Sequence, residues 1–262
     1  DKVRRSILLD AKADLLIYGM GEKAVLEIAE ALESGIDVKD ITWIRGTCFK
    51  SKEAPAGDEN IILPHFKSIS EDKKAYAQSF ALQFKNNDYI SAGGLAEQYD
   101  KNVWVIQNPP QSPLSQQELD DVYELPFENE PHPSYDRAGG IPAFSEVKFS
   151  LVSSRGCFGG CSFCALTYHQ GRQVRERSKE SLIREAQKLI EKKDFKGYIH
   201  DVGGPTANFR GPACSGQLKR GVCTDKDCMF PKVCPAIAAD HSDYLDILRS
   251  LRELDGVKKV FI

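Results

Sequence analysis

The sequence predicts an α/β protein made of two units joined by an irregular segment. Three observations carry that expectation. Short apolar runs alternate with helix-periodic segments from residue 1 to about 108, the pattern of strands with helices packed on their faces. Residues 109 to 145 hold seven of the 13 prolines, too many for a long helix or a central strand. From about residue 146 the order strand, loop, helix, strand, loop, helix, strand resumes, as at the start of a doubly wound sheet or a barrel.

In the first unit "ADLLIYG" is a short apolar strand running into glycines. Val25, Ile28, Ala29 and Leu32 then recur at helical spacing, and Gly35 suits the stop. "ITWIRGTC" and "NIILPH" read as strands, "EDKKAYAQSFALQFKNN" as a helix and "NVWVIQN" as a strand. The expected sheet is parallel. Within the proline-rich linker "SQQELDDVY" is a short helical exception. In the second unit "EVKFSLVSS" is a strand, and Ser178 is placed to cap a helix with Glu180 in its first turn. Leu182, Ile183, Ala186, Leu189 and Ile190 form its apolar stripe. "GYIHDVGG" is the next strand, Tyr244, Leu248 and Leu251 mark a further helix, and "KKVFI" is a closing strand.

The bulk properties exclude several classes. A formal net charge of −3 and a pI near 6.0 give no basic field for nucleic acid. Runs such as "VWVI" are far too short to span a bilayer. The ends, "DKVRRS" and "GVKKVFI", read as cut from a longer chain. Eight cysteines in a chain of this length, with nothing to mark it as secreted, point to metal or catalysis in a reducing, cytoplasmic compartment rather than to disulfides.

The chemistry concentrates in "SSRGCFGGCSFCALTYHQGRQ", which places Cys157, Cys161 and Cys164 within eight residues of a glycine-rich loop. Gly156, Gly159 and Gly160 let the backbone fold tightly, and three thiolates so spaced can converge on one soft centre, zinc or an iron–sulfur cluster. With no fourth cysteine beside them, one position of such a centre stays open, as in catalytic metal sites. The loop follows a strand, where α/β folds place their active sites.

"RGCFGGCSFC" has the CX3CXΦC form of the radical S-adenosylmethionine (radical SAM) proteins, with Phe163 in the aromatic position. Together with "DLLIYGMGE", "WIRGTC", "PHPSYDRAGGIPAF" and "GGPTANF", the chain resembles the YgiQ-type family of that superfamily over most of its length. The resemblance implies a Rossmann-like N-terminal domain over residues 1–108, a linker over 109–145, and over 146–262 the start of a partial (β/α)6 barrel with a cysteine-rich insertion at 205–240. It implies that Cys157, Cys161 and Cys164 each ligate one iron of a [4Fe–4S] cluster, whose fourth iron chelates SAM. The reduced cluster would then cleave SAM to a 5′-deoxyadenosyl radical that attacks a substrate. An electron donor of reductase, flavodoxin or ferredoxin type is implied as partner, with no membrane. Gly203, Gly204, Pro205 and Thr206 stand where such proteins carry a GGE-like motif. With Pro205 in place of the Glu, a backbone role alone carries over, to Gly203, Gly204 and Thr206. Phe163 would border the cofactor.

Cys214, Cys223, Cys228 and Cys234 lie within 21 residues, at spacings that match no zinc ribbon or ferredoxin run. A second cluster, zinc, free thiols and disulfides all remain open for them. "GMGE" (Gly19 to Glu22) reads as a tight β–α turn with one glycine fewer than the dinucleotide fingerprint. Cys48 reads as a buried thiol, and Arg172, Arg175 and Arg177 as either an anion site or structural pairs. The rival to a radical enzyme is a non-catalytic zinc- or iron–sulfur-binding module, structural or electron-carrying.

Overall fold

The computed structural model describes residues 2–57, 60–204, 209–238 and 240–262. Thr206 and Pro205 therefore lie outside the described residues. The first unit runs through helix α1 (Ile7–Asp10), strand β1 (Leu15–Ile17), helix α2 (Glu22–Glu33), strands β2 (Thr47–Ser51) and β3 (Asn60–Ile62), helices α3 (Phe66–Glu71) and α4 (Lys73–Lys85), and strands β4 (Gly94–Asp100) and β5 (Val103–Gln107). Its strands form one sheet in the order β1-β2-β5-β4-β3.

The α/β class is as expected, but this sheet is mixed. β3 and β4 run parallel, while β1–β2, β2–β5 and β4–β5 are antiparallel. For β4–β5 the reason is length: only Lys101 and Asn102 join them, whereas a parallel connection needs a crossover of about a dozen residues or more. The strand expected at "ITWIRGTC" lies further along the chain, at Thr47–Ser51, and shares only Thr47 and Cys48 with it. Ile41 and Ile44 precede it as loop residues buried under α2, packed with Ala24 and Ala31. Ala24, Ile28 and Ala31 thus face the sheet, and Val25 and Leu32 are exposed. The small alanines let the helix approach closely, so the buried stripe sits beside the one the larger residues mark.

In the connecting segment α5 (Gln116–Glu124) starts at a capping box between Ser115 and Glu118. It docks on the second unit. Leu119 is buried, and the buried Asp120 carboxylate accepts from the Ser178 amide at 2.9 Å. A 3-10 turn at Pro133–Ala138 and helix α6 (Phe144–Val147) complete the connection.

The second unit comprises β6 (Ser150–Val152), β7 (Ser154–Arg155), α7 (Leu166–His169), β8 (Arg175–Glu176), α8 (Lys179–Ile190), β9 (Tyr198–Ile199), β10 (Asp201–Gly203), α9 (Ser215–Arg220), α10 (Ser242–Arg252) and β11 (Lys259–Val260). β9 and β10 form one strand interrupted at His200. β10 pairs parallel with β6, and β9 parallel with β11. Three parallel segments backed by helices match the expected start of a barrel. The core behind them joins Leu151, Ile199 and Val202 to Leu182, Ala186 and Leu189 of α8 and Tyr244, Ile247 and Leu251 of α10. Ser178 caps α8 by accepting from the Ser181 amide. Among the described residues no helix is long and apolar enough to cross a membrane.

Asn87 and Asp88 are among the polar groups that staple the first unit to the second. The Asn87 amide donates to the Thr167 carbonyl at 3.2 Å. Asp88 is buried, and its carboxylate accepts from the amides of Ile90, Ser91 and Val222. Asp88→Ala orphans three amides, one of them across the interface. The expected loss is about 2 kcal/mol, read as a lower urea midpoint with faster proteolysis around Val222.

Candidate metal and cofactor site

The three-cysteine loop is closed at its base by β7 and β8, which pair antiparallel with Arg155 opposite Arg175. Gly156 stands at that base with φ +89°, and a Cβ there would collide with the Gln173 carbonyl. The Cys157 amide donates to the Gly171 carbonyl at 3.0 Å, and the Gly156 amide to the Gln170 side chain at 3.0 Å. The ends of the loop are thereby laced together.

Within the loop Cys157 is buried, Cys164 half-buried and Cys161 exposed. The Gly159 amide points at the Cys157 sulfur, 3.2 Å away. A Cβ on Gly159 would lie 3.2 Å from the Cys157 sulfur and 3.7 Å from that of Cys161, so both sulfurs flank this bare backbone. The Cys164 amide donates to the Cys161 carbonyl at 3.0 Å, which closes a tight turn between the second and third cysteines. Phe158 anchors the loop, stacked on Phe209 with ring centres 4.0 Å apart. Phe163 is 91% exposed. Among the described residues no three Cys, His, Asp or Glu side chains already converge in an arrangement that would hold a metal ion. The loop nonetheless suits a thiophilic group: three thiols share one backbone, one amide is aimed at a sulfur, and a glycine stands where a side chain would crowd two of them.

The next parallel strand ends beside this loop. Gly203 is in register with Val152, its carbonyl accepts from the Ser153 amide at 2.5 Å, and a Cβ on Gly204 would collide with the Ser154 hydroxyl. Gly203 and Gly204 therefore lie next to the residues that enter the loop. Asp201 opens β10, and burial raises its carboxyl pKa. His200 is spent on structure, with its amide on the Phe149 carbonyl and its ring edge-on to Phe149.

The three arginines after the triad separate into different roles. Arg177 is fully buried and donates to the Val152 carbonyl, the Ser181 hydroxyl and the Glu185 carboxylate, with its guanidinium over the Tyr123 ring. Arg172 is also buried, lies over the Phe84 ring, and donates to the carbonyls of Cys223 and Lys226 and to Asp227. Both are structural. Arg175 donates to the Gln173 side chain, and its Nε is buried without a partner.

The "GMGE" turn docks rather than opening a phosphate site. Gly19 adopts φ +73° against the His169 carbonyl, and Glu22 pairs with Arg155. Tyr168 packs on Phe80 at 5.7 Å and lines a cleft between the units with Tyr18, Tyr89 and Arg172. Burial pushes the Cys48 thiol up to about 12, which keeps it protonated and inert. Glu22, Asp88, and the separate structural partners of Arg172 and Arg177 were not foreseen. Their partners are distant in sequence, and no spacing signals them.

Family models match the chain end to end: "Radical SAM N-terminal" over residues 1–150 and "Radical SAM superfamily" over residues 151–262. The chain belongs to the radical SAM superfamily. A "UPF0313 protein" of Clostridium botulinum (strain ATCC 19397 / Type A) is 50% identical over 262 residues, covering 100% of this chain and 40% of the relative. A "UPF0313 protein" of Clostridium perfringens (strain SM101 / Type A) is 51% identical over 263 residues, with 100% and 40% covered. The chain thus spans about two fifths of the length of these relatives. The boundary between the two radical SAM models falls at β6, just before the three-cysteine loop.

Proposed function

We propose that this chain carries the cofactor-binding part of a radical SAM enzyme, acting on a substrate yet to be identified. Cys157, Cys161 and Cys164 would hold a [4Fe–4S] cluster, and Gly203 and Gly204 would present backbone groups to SAM. The observation that carries this reading is the juxtaposition of the three-thiol loop, leaving the end of one parallel strand, with the Gly-Gly end of the next. When bound, the cluster supplies the electron that cleaves SAM reductively, chemistry that belongs to the cofactor.

The residues of the chain do the rest. The thiolates of Cys157, Cys161 and Cys164 would each hold one iron, which would leave the fourth for a ligand. The Gly159 amide, 3.2 Å from the Cys157 sulfur, offers the kind of hydrogen bond that tunes cluster potential. Arg177 fixes the Val152 carbonyl, and the Arg210 guanidinium and Arg177 amide both donate to the Ser153 carbonyl at 3.0 Å. This network sets the direction in which the chain enters the loop. Cys157 is buried, and the stacked rings of Phe158 and Phe209 pack the same loop, which keeps part of it dry. An electron donor of reductase, flavodoxin or ferredoxin type would deliver the electron.

The test is anaerobic reconstitution with iron and sulfide, reduction, and EPR spectroscopy with and without SAM. A [4Fe–4S] signal that changes on adding SAM is expected, because SAM binds the open iron. A cluster indifferent to SAM would mark an electron carrier. Zinc in place of iron at these three thiols would mark a structural module. Either result would sink the radical enzyme.

A further inference from the structure

The segment from Phe209 to Ala238 poses an energetic problem. Among its residues only Ala213 and Val222 are buried apolar side chains, while Leu218, Met229, Phe230 and Val233 are exposed. Two small buried side chains, with Phe209 packed at one end of the segment, cannot offset the conformational entropy of ordering so long a stretch. Segments of this kind are held by cross-links or metals.

The backbone of the segment nevertheless brings the stretches that carry its four cysteines together, although their side chains do not converge on one point. The Cys234 amide donates to the Cys228 carbonyl at 2.8 Å. The Ala238 amide donates to the Ala213 carbonyl at 2.8 Å, which returns the chain to the neighbour of Cys214. The buried Gln217 side chain accepts from the Ala213 amide at 2.9 Å and has its nitrogen 3.9 Å from the Cys228 sulfur. Arg172 holds the Cys223 carbonyl at 2.7 Å. Cys228 itself packs against the cluster of Phe158, Val174 and Ala213, the last of which is the neighbour of Cys214. All four cysteines are free thiols.

We propose that Cys214, Cys223, Cys228 and Cys234 bind one zinc ion as a structural tetrathiolate site that staples this segment against the three-cysteine loop. Four thiolates complete a tetrahedral zinc shell with no position left for chemistry. The sulfurs close on the metal by side-chain rotation, since such sites form together with metal binding. Arg172, beside them, offsets part of the negative charge of the filled site. The staple reaches the triad through Asp227, between Cys223 and Cys228. Its carboxylate accepts from Arg172 at 3.3 Å and lies 3.2 Å from where a Cβ on Gly160 would stand.

The test uses the whole chain, as wild type and as Cys161→Ala, which disables the triad. Metal content is measured, together with iodoacetamide labelling of each cysteine with and without a chelator. One zinc per chain is expected in both proteins, with Cys214, Cys223, Cys228 and Cys234 protected as a group until the chelator is added. Cys228→Ser is expected to lower the zinc content about tenfold, while Cys48→Ser leaves it unchanged. Cobalt(II) in place of zinc should give the thiolate charge-transfer bands of a tetrahedral site, a readout on unmutated protein. Equal labelling of the four thiols with and without zinc would overturn the site. So would iron and sulfide retained at them in Cys161→Ala. Neither result bears on SAM binding at the triad, so the two proposals fail separately.

Discussion

Replacing Cys161 with alanine is expected to abolish the reduced [4Fe–4S] signal while leaving the thermal transition of the chain unchanged. Cys161 is the exposed member of the triad, so its truncation opens no cavity and removes no buried contact. A cubane cluster held by three protein thiolates loses a third of its protein anchorage with one of them, and iron retained after desalting should fall by more than about tenfold. Cys157 is a poorer probe. It is 3% exposed and sits at the base of the loop, so its loss would mix packing with ligation. Four irons per chain persisting in Cys161→Ala, with an unaltered spectrum, would show that the triad does not hold the cluster.

Arg177→Met should give the largest loss of stability among the substitutions away from the cysteines. The guanidinium is 0% exposed and serves the Val152 carbonyl, the Ser181 hydroxyl, the Glu185 carboxylate and the Tyr123 ring. Methionine fills part of the volume but leaves every one of those groups without its partner. Removing one member of a buried pair costs about 3–5 kcal/mol. The Glu185 side chain is 26% exposed, so water recovers part of its charge and the lower end, about 3 kcal/mol, applies. The melting temperature should fall by about 6–12 °C. Arg184→Ala is the control. Its side chain is 49% exposed and pairs with Glu124, an exposed pair worth well under about 1 kcal/mol. Equal losses in the two variants would show that the Arg177 network contributes nothing beyond a surface pair. The substitution also tests the site, because the same guanidinium holds the last residue of β6 before the three-cysteine loop.

The elements that periodicity exposes were legible. α8 begins at Ser178 and buries Leu182, Ala186 and Leu189, because a one-sided apolar stripe and a capping serine specify a helix and its orientation together. The three-cysteine loop was legible for a similar reason: thiol spacing and glycines act within one short segment. β4 was missed. Its sequence, "GLAEQYD", places polar and apolar residues without clean alternation, yet it pairs with a strand on each side. Strand pairing of that kind rewards the neighbours, which lie far away in sequence. The same holds for the mixed direction of the first sheet. Short apolar runs say that strands exist, whereas direction follows from how each connection closes.

The sequence by itself determined the α/β class, the helix of the radical SAM core and the place of its three-cysteine loop after a strand, since each depends on residues close to one another along the chain. Only the tertiary structure decided which arginines are free. Arg172 and Arg177 look alike in the basic stretch after the triad, yet both are buried and held by groups from other elements. It also brought together stretches that carry unevenly spaced cysteines, Cys234 onto Cys228 and Ala238 onto Ala213 beside Cys214. A buried charge takes its partner wherever the fold supplies one, and sequence distance places no limit on where that is.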